Sequence, residues 1–141
     1  MTRKSKLVTL LCFYAVIGAS MLMLRTPGTL DTRLYYTNAE ALQWISSLSP
    51  EMKETYLWHQ YLDLGYLITY SLIAYLFLGY WALIPGVLDL FETIFILLHL
   101  ERVVMLPEFL GIVTCLKWIS GVIVILLGIF KLTSQRFNRA S

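Results

Sequence analysis

Four long apolar segments dominate this chain of 141 residues. The first covers residues 7–24 without a single charged side chain and directly follows Arg3, Lys4 and Lys6. A helix needs about 20 mostly apolar residues to cross the hydrocarbon core of a bilayer, which is about 30 Å thick. Segments at 61–82, 86–105 and 109–130 satisfy the same length requirement. The sequence therefore predicts an all-α protein, a four-helix antiparallel transmembrane bundle forming a single membrane domain over 1–141.

The first apolar run also has features of a signal peptide, because a positively charged start precedes it. Gly18-Ala19-Ser20 would serve as a weak cleavage site within that run. The run continues past this site through Met21 to Leu24, which makes it long for the apolar part of a signal peptide. We therefore interpret residues 7–24 as an uncleaved first span.

The composition supports a membrane protein and excludes several functional classes. Only 14% of the residues are charged and 58% are hydrophobic, whereas about 25% of the residues in a soluble domain are charged. Cys12 and Cys115 lie alone in apolar runs, so a zinc or thioredoxin-like motif has no support. The chain contains no nucleotide-binding, serine-hydrolase or metalloprotease motif. We predict no cofactor, no metal and no binding of nucleic acid.

A short helical cap at 37–60 is predicted between the first two spans. Thr37 and Glu40 have the spacing of a capping box, in which a hydroxyl and a carboxylate satisfy two free backbone donors. Pro50 after Ser49 is typical of a second helix start. No helix breaker is evident between Pro50 and Pro85, so we expect a long helix that projects over 50–60 and crosses over 61–82.

The distribution of positive charge predicts the orientation in the membrane. Both terminal tails are basic and lack acidic residues; their basic residues are Arg3, Lys4, Lys6, Lys131, Arg136 and Arg139. Positively charged segments stay on the cytoplasmic side. We therefore expect both termini in the cytoplasm and the long loop on the opposite side, and we favour a bacterial inner membrane over an organelle membrane.

Ionisable residues in the third and fourth spans form a candidate polar intramembrane cluster. Each such charge costs at least about 2.5–3.5 kcal/mol at the centre of a span, so these side chains should face the bundle interior. Helical periodicity places Asp89, Glu92 and His99 on one face of the third span. Lys117 in the fourth span is expected level with His99, with a stem long enough to reach Glu92. Such a cluster fits either a structural clamp between helices or a binding site for a ligand or proton.

The second helix carries a candidate outer-mouth cluster of His59, Asp63, Tyr66 and Tyr70 on one face. His59 and Asp63 are four residues apart, so their side chains can meet. This spacing is compatible with a metal site, but a helix-surface pair at the membrane edge is commoner. The tyrosines fit ordinary packing or a buried hydroxyl facing a ligand.

Several short motifs resemble a family of small four-helix integral membrane proteins whose members are largely uncharacterised. The matching residues run from the first loop to the fourth span: 36–42, Tyr56-Leu57, Asp63-Leu64, Pro85, Asp89-Leu90-Phe91-Glu92 and Thr114-Cys115-Leu116-Lys117-Trp118. The family pattern favours Asn after the glutamate, where this chain has Thr93. The resemblance implies the four-helix architecture and singles out Asp63, Asp89, Glu92 and Lys117, without implying an activity.

Three functional classes remain open. The favoured class is a binding or accessory bundle that engages membrane lipid, a protein partner or further copies of itself, because the chain is small and lacks a catalytic signature. The second is a membrane-embedded enzyme or a protein that binds lipid or small molecules, using Asp89, Glu92 and Lys117. The third is a proton-coupled transporter subunit, which the absence of paired broken helices or repeats disfavours.

Overall fold

The computed structural model describes residues 3–24 and 29–140, and within these ranges the chain forms helices and no strand. The all-α prediction is therefore confirmed. Four segments are long and apolar enough to cross a membrane, as expected of a multi-pass membrane protein. The five helices are α1 (Arg3–Leu24), α2 (Asn38–Ser47), α3 (Pro50–Leu78), α4 (Ile84–Leu100) and α5 (Leu110–Ala140), with short 3-10 turns at Leu30–Thr32 and Tyr80–Leu83.

The predicted capping box starts α2. The Thr37 hydroxyl accepts a hydrogen bond from the Glu40 backbone N–H at 3.2 Å, and the Glu40 carboxylate accepts one from the Thr37 backbone N–H at 2.7 Å. Hydrogen bonds from the backbone N–H and the hydroxyl of Thr37 to the ionised carboxylate hold the pKa of Glu40 below its usual value. The side chain of Ser49 likewise accepts from the Met52 backbone N–H at the start of α3. Both helix starts follow local sequence signals.

Helix α2 and the preceding loop pack onto one end of the long helices and close it. Tyr36, Ala41 and Ile45 are buried there, together with Tyr56 from the first turns of α3. Trp44 packs edge-on against the Tyr56 ring, with 4.9 Å between ring centroids. Gly111 at the start of α5 lies so close to this loop that a Cβ would overlap the Tyr36 carbonyl. The loop is therefore fixed against the bundle by an apolar core.

The helix ends differ from the sequence prediction in three places. Helix α3 ends at Leu78 rather than near residue 82, because Gly79 has a φ of 79° and stops the helix. Pro85 lies in the first turn of α4 rather than in a separate turn. Helix α4 ends at Leu100 rather than near residue 105, and Arg102 just beyond it also has a positive φ. The loop to α5 is consequently longer than predicted.

The long helices pack in a chain rather than around one common axis. Helix α1 packs on α3, α3 on α4, and α4 on α5, while α3 and α5 touch only slightly. Over the described residues, α1 and α5 make little or no direct contact. Helices α3 and α4 approach closely at Gly86, where a Cβ would collide with the Ser71 hydroxyl. A gap therefore remains between α1 and α5.

Candidate functional site

Lys117 of α5 forms two ion pairs with α4. Its Nζ lies 2.5 Å from Glu92 Oε2 and 3.0 Å from Asp89 Oδ1. Lys117 thus reaches Glu92, as expected. The expectation that Lys117 lies at the same depth along the helices as His99 is wrong. Helix α4 ends five residues earlier than predicted, and the longer loop brings Lys117 opposite Asp89 and Glu92.

Glu92 is completely buried and tied to three parts of the chain. Its Oε1 accepts hydrogen bonds from the Tyr36 hydroxyl at 2.9 Å and from the Thr114 hydroxyl at 2.6 Å. With Lys117 on the other oxygen, this carboxylate joins the loop before α2 to α4 and α5. Burial of a carboxylate is tolerated when it is paired and hydrogen-bonded in this way. Glu92 therefore has the geometry of a structural clamp.

Asp89 and Asp63 connect α4 to α3 through neutral donors. The Tyr70 hydroxyl donates to Asp89 Oδ2 at 3.0 Å, and the Thr93 hydroxyl donates to Asp63 Oδ2 at 3.0 Å. Asp63 is 8% exposed. Among the described side chains, no lysine, arginine or histidine nitrogen lies within the 4.0 Å ion-pair distance of Asp63. Asp63 is thus a buried acid with a hydroxyl partner and no paired base in the described structure.

The tyrosines of the predicted outer-mouth cluster continue this polar surface onto α1. The Tyr66 hydroxyl donates a hydrogen bond to the Tyr14 hydroxyl, and the two rings stack with centroids 4.5 Å apart. The Tyr70 ring meets Tyr66 edge-on at 6.0 Å. Three tyrosine rings therefore lie side by side between α1 and α3.

The two histidines lie apart from the acid–lysine contacts. His99 Nδ1 is 3.1 Å from the Val104 carbonyl, beside the end of α4 and about two turns beyond Glu92. His99 lines a separate groove on the side of α2, together with Lys53 and Arg102. His59 Nδ1 makes no hydrogen bond to the described residues, and no His59–Asp63 bond forms. The structure thus brings together three of the four predicted intramembrane residues and leaves His99 outside.

A cavity of about 900 Å³ connects the two predicted clusters. Its ionisable lining comes from α3, α4 and α5, and further hydroxyls come from α1 and the loop after it: His59, Asp63, Tyr66, Tyr70, Asp89 and Lys117, with Tyr14, Thr29 and Thr32. Much of the remaining wall is apolar, contributed by residues such as Leu22 on α1 and Val124 and Ile125 on α5. Glu92 is not part of this lining, because it lies behind Asp89 and Lys117. The cavity has a size typical of small-molecule sites.

Four further residues of this site were absent from the predicted clusters. Tyr36, Thr93 and Thr114 supply hydroxyl donors to the two buried acids, and Tyr14 adds the third ring. The sequence contains a signal for two of these residues, because Thr93 directly follows Glu92 and Thr114 lies three residues before Lys117. Nothing in the sequence around Tyr36 indicates this contact. Tyr36 lies 56 residues before Glu92, and only the folded loop brings the two side chains together. Within the described residues, no group of three or more potential ligands is placed to hold a metal ion.

Comparisons of the chain with protein families, with curated proteins and with solved structures give no match.

The clamp predicts a large stability difference between single and double substitutions. Lys117→Met would leave Glu92 as a buried charge without a cation, at a cost of about 3–5 kcal/mol in the free energy of unfolding. Adding Glu92→Gln removes that charge while keeping its hydrogen-bond acceptor, and should restore part of the loss. Denaturant unfolding in mixed micelles measures the free energy of unfolding of both the single and the double variant. A double variant no more stable than Lys117→Met would contradict the clamp.

Proposed function

We propose that this chain is a multi-pass membrane protein that holds an amphiphilic molecule, a lipid or a lipid-like small molecule, in the cavity between its helices. One observation carries the proposal: a cavity of about 900 Å³ places Asp63, Asp89 and Lys117 in a mainly apolar wall. Ligand pockets of about 300–1,000 Å³ with few polar groups in apolar surroundings are usual for small molecules. The favoured class is thus a binding protein, with the acids serving binding rather than an assigned reaction.

The gap between α1 and α5 supports a ligand drawn from the membrane itself. Leu22 of α1 and Ile125 of α5 both line the cavity, although their helices make little or no contact over the described residues. Their outward surfaces are apolar, as shown by exposed Val16 and Leu126. In a bilayer this gap faces acyl chains. An acyl chain can therefore pass between α1 and α5 while its head group meets the polar wall.

Gly121 offers a direct way to fill the cavity. It lines the wall on α5, and a Cβ at this position meets no heavy atom within 4 Å. Gly121→Leu therefore adds bulk to the cavity without a collision at its Cβ. Val122→Leu is the matched control, because Val122 is 54% exposed on the same helix and does not line the cavity.

Native mass spectrometry of the chain extracted from its membrane tests the proposal. We expect a co-purified amphiphile on the wild type and on Val122→Leu, and its loss or severe depletion on Gly121→Leu. Thermal unfolding of all three proteins checks that they remain folded. The same adduct on Gly121→Leu as on the wild type, or no adduct on any of them, would overturn the proposal.

We further propose that the four spans form an antiparallel bundle with both termini in the cytoplasm, in a bacterial inner membrane. The basic residues of the two tails support this orientation, and the resemblance to small four-helix membrane proteins supports the architecture. The side chains of Arg3, Lys4, Lys6, Arg136 and Arg139, on which the orientation depends, lie outside the described part of the structure. Under this orientation, α2 and the start of α3 face the periplasm.

Cysteine labelling in intact cells measures the orientation. In a background with Cys12→Ser and Cys115→Ser, a membrane-impermeant maleimide should label Glu51→Cys, since Glu51 is exposed at the start of α3. Ser141→Cys should react only after the inner membrane is permeabilised. Labelling of Ser141→Cys without permeabilisation, with Glu51→Cys protected, would reverse the topology.

A further inference from the structure

The charges of the described side chains around the cavity do not balance. Lys117 is shared by two carboxylates, at 2.5 Å from Glu92 and 3.0 Å from Asp89. Asp63 adds a third acid on the cavity wall, and no described basic side chain forms an ion pair with it. Among the described side chains, three acids thus surround one lysine, and two of these acids, Asp63 and Asp89, lie on the cavity wall. A charge at membrane depth is costly unless it is paired, so Asp63 calls for a partner that the described side chains do not supply.

Asp63 presents an unpaired oxygen within the cavity lining. The side chain is more than nine-tenths buried, and its Oδ2 accepts a hydrogen bond from Thr93. Its Oδ1 receives no hydrogen bond from the described residues, whereas Glu92 has partners on both oxygens. Because Asp63 lines the cavity, Oδ1 marks a position where a ligand group can bind.

Aromatic rings lie along the same face as this oxygen. Tyr66 and Tyr70 are three and seven residues beyond Asp63 on α3, and Tyr14 of α1 stacks on Tyr66. All three tyrosines line the cavity with Asp63. Aromatic faces attract organic cations, and quaternary ammonium groups are commonly bound by several rings together with a carboxylate. The three tyrosines therefore supply aromatic surface for a cationic group on the same wall as the Asp63 carboxylate.

We infer that the head group of the bound amphiphile is an organic cation of the ammonium type, seated between Asp63 and the rings of Tyr14, Tyr66 and Tyr70. This inference rests on the proposed function, since it names the chemical class of the molecule in the same cavity. An anionic head group would meet Asp63 and Asp89 in the same wall, while the ammonium of Lys117 is already occupied by two carboxylates. Like charges this close are repulsive, more so in an apolar environment.

Three single-chain probes that differ only in their head group test the inference. The full chain, held in micelles of dodecyl maltoside, an uncharged detergent without an ammonium group, is titrated with hexadecyltrimethylammonium, hexadecanol and hexadecanoate, and native mass spectrometry measures occupancy. We expect the ammonium probe to bind about tenfold more tightly than the alcohol, with the carboxylate weakest. Gly121→Leu should reduce binding of all three probes, because it fills the shared cavity.

Asp63→Asn is the decisive variant, because the amide oxygen still accepts from Thr93 while the charge is lost. It should weaken the ammonium probe about tenfold and leave hexadecanol unchanged. Glu51→Gln is the matched control: it removes an exposed carboxylate from the same helix, outside the cavity. Tyr66→Leu and Tyr66→Phe form a second pair that does not alter Asp63. The leucine variant should lose affinity for the ammonium probe, and the phenylalanine variant should retain most of it.

The outcomes separate the two proposals. Equal affinity for the ammonium probe and the alcohol, unchanged by Asp63→Asn, would overturn the cationic head group and leave amphiphile binding intact. Preference for hexadecanoate would also overturn the cationic head group, and would indicate that an anionic head group binds at Lys117. No binding of any probe, with no difference between wild type and Gly121→Leu, would overturn both proposals. If Asp63→Asn does not fold, the wild-type ranking and the Tyr66 pair decide the question.

Discussion

The ammonium of Lys117, held between Glu92 and Asp89, is the interaction on which the arrangement of the helices depends. Glu92 has no exposed surface, and a buried carboxylate is stable only with a cation and hydrogen-bond donors around it. Lys117 supplies the cation from α5, and the Tyr36 and Thr114 hydroxyls supply the donors. One carboxylate therefore joins the loop before α2 to α4 and α5 and fixes the register of these two apolar helices.

The cavity follows from the same arrangement. Because Lys117 binds α5 to α4 and α1 packs mainly on α3 over the described residues, the space between α1 and α5 stays open beside the polar groups. Asp89 connects the clamp and the cavity, because Lys117 and Tyr70 bind it and all three residues line the cavity. The three acids thus divide into Glu92, which is fully buried and joins parts of the fold, and Asp63 and Asp89, which line a mainly apolar cavity. This division explains how a small helical protein can pair one buried acid tightly and still leave two carboxylates on a cavity wall.

The sequence predicts much of this architecture, because its strongest signals are local. The apolar runs, the capping box at Thr37 and the acid stripe of α4 all depend on residues a few positions apart. The errors come from backbone conformation and long-range contacts. In the sequence, Gly79 is one more small residue within an apolar run. Its positive φ, which ends α3, is evident only from the structure. Because the end of α4 was predicted too late in the chain, Lys117 was expected opposite His99 instead of opposite Glu92. No residue near Tyr36 indicates that its hydroxyl reaches Glu92. Periodicity grouped Asp89 with Glu92, whereas burial separates their roles.

Fluorescence quenching of Trp118 tests most directly whether an acyl chain occupies the cavity. Trp118 lines it, so Trp44→Phe, Trp58→Phe and Trp81→Phe leave this indole as the single reporter. In nanodiscs containing a lipid brominated along its acyl chain, an occupied cavity predicts strong quenching that falls when Gly121→Leu is added and persists with Val122→Leu. Identical quenching in all three proteins would mean that Trp118 senses only the surrounding bilayer, and would contradict a cavity that holds an amphiphile.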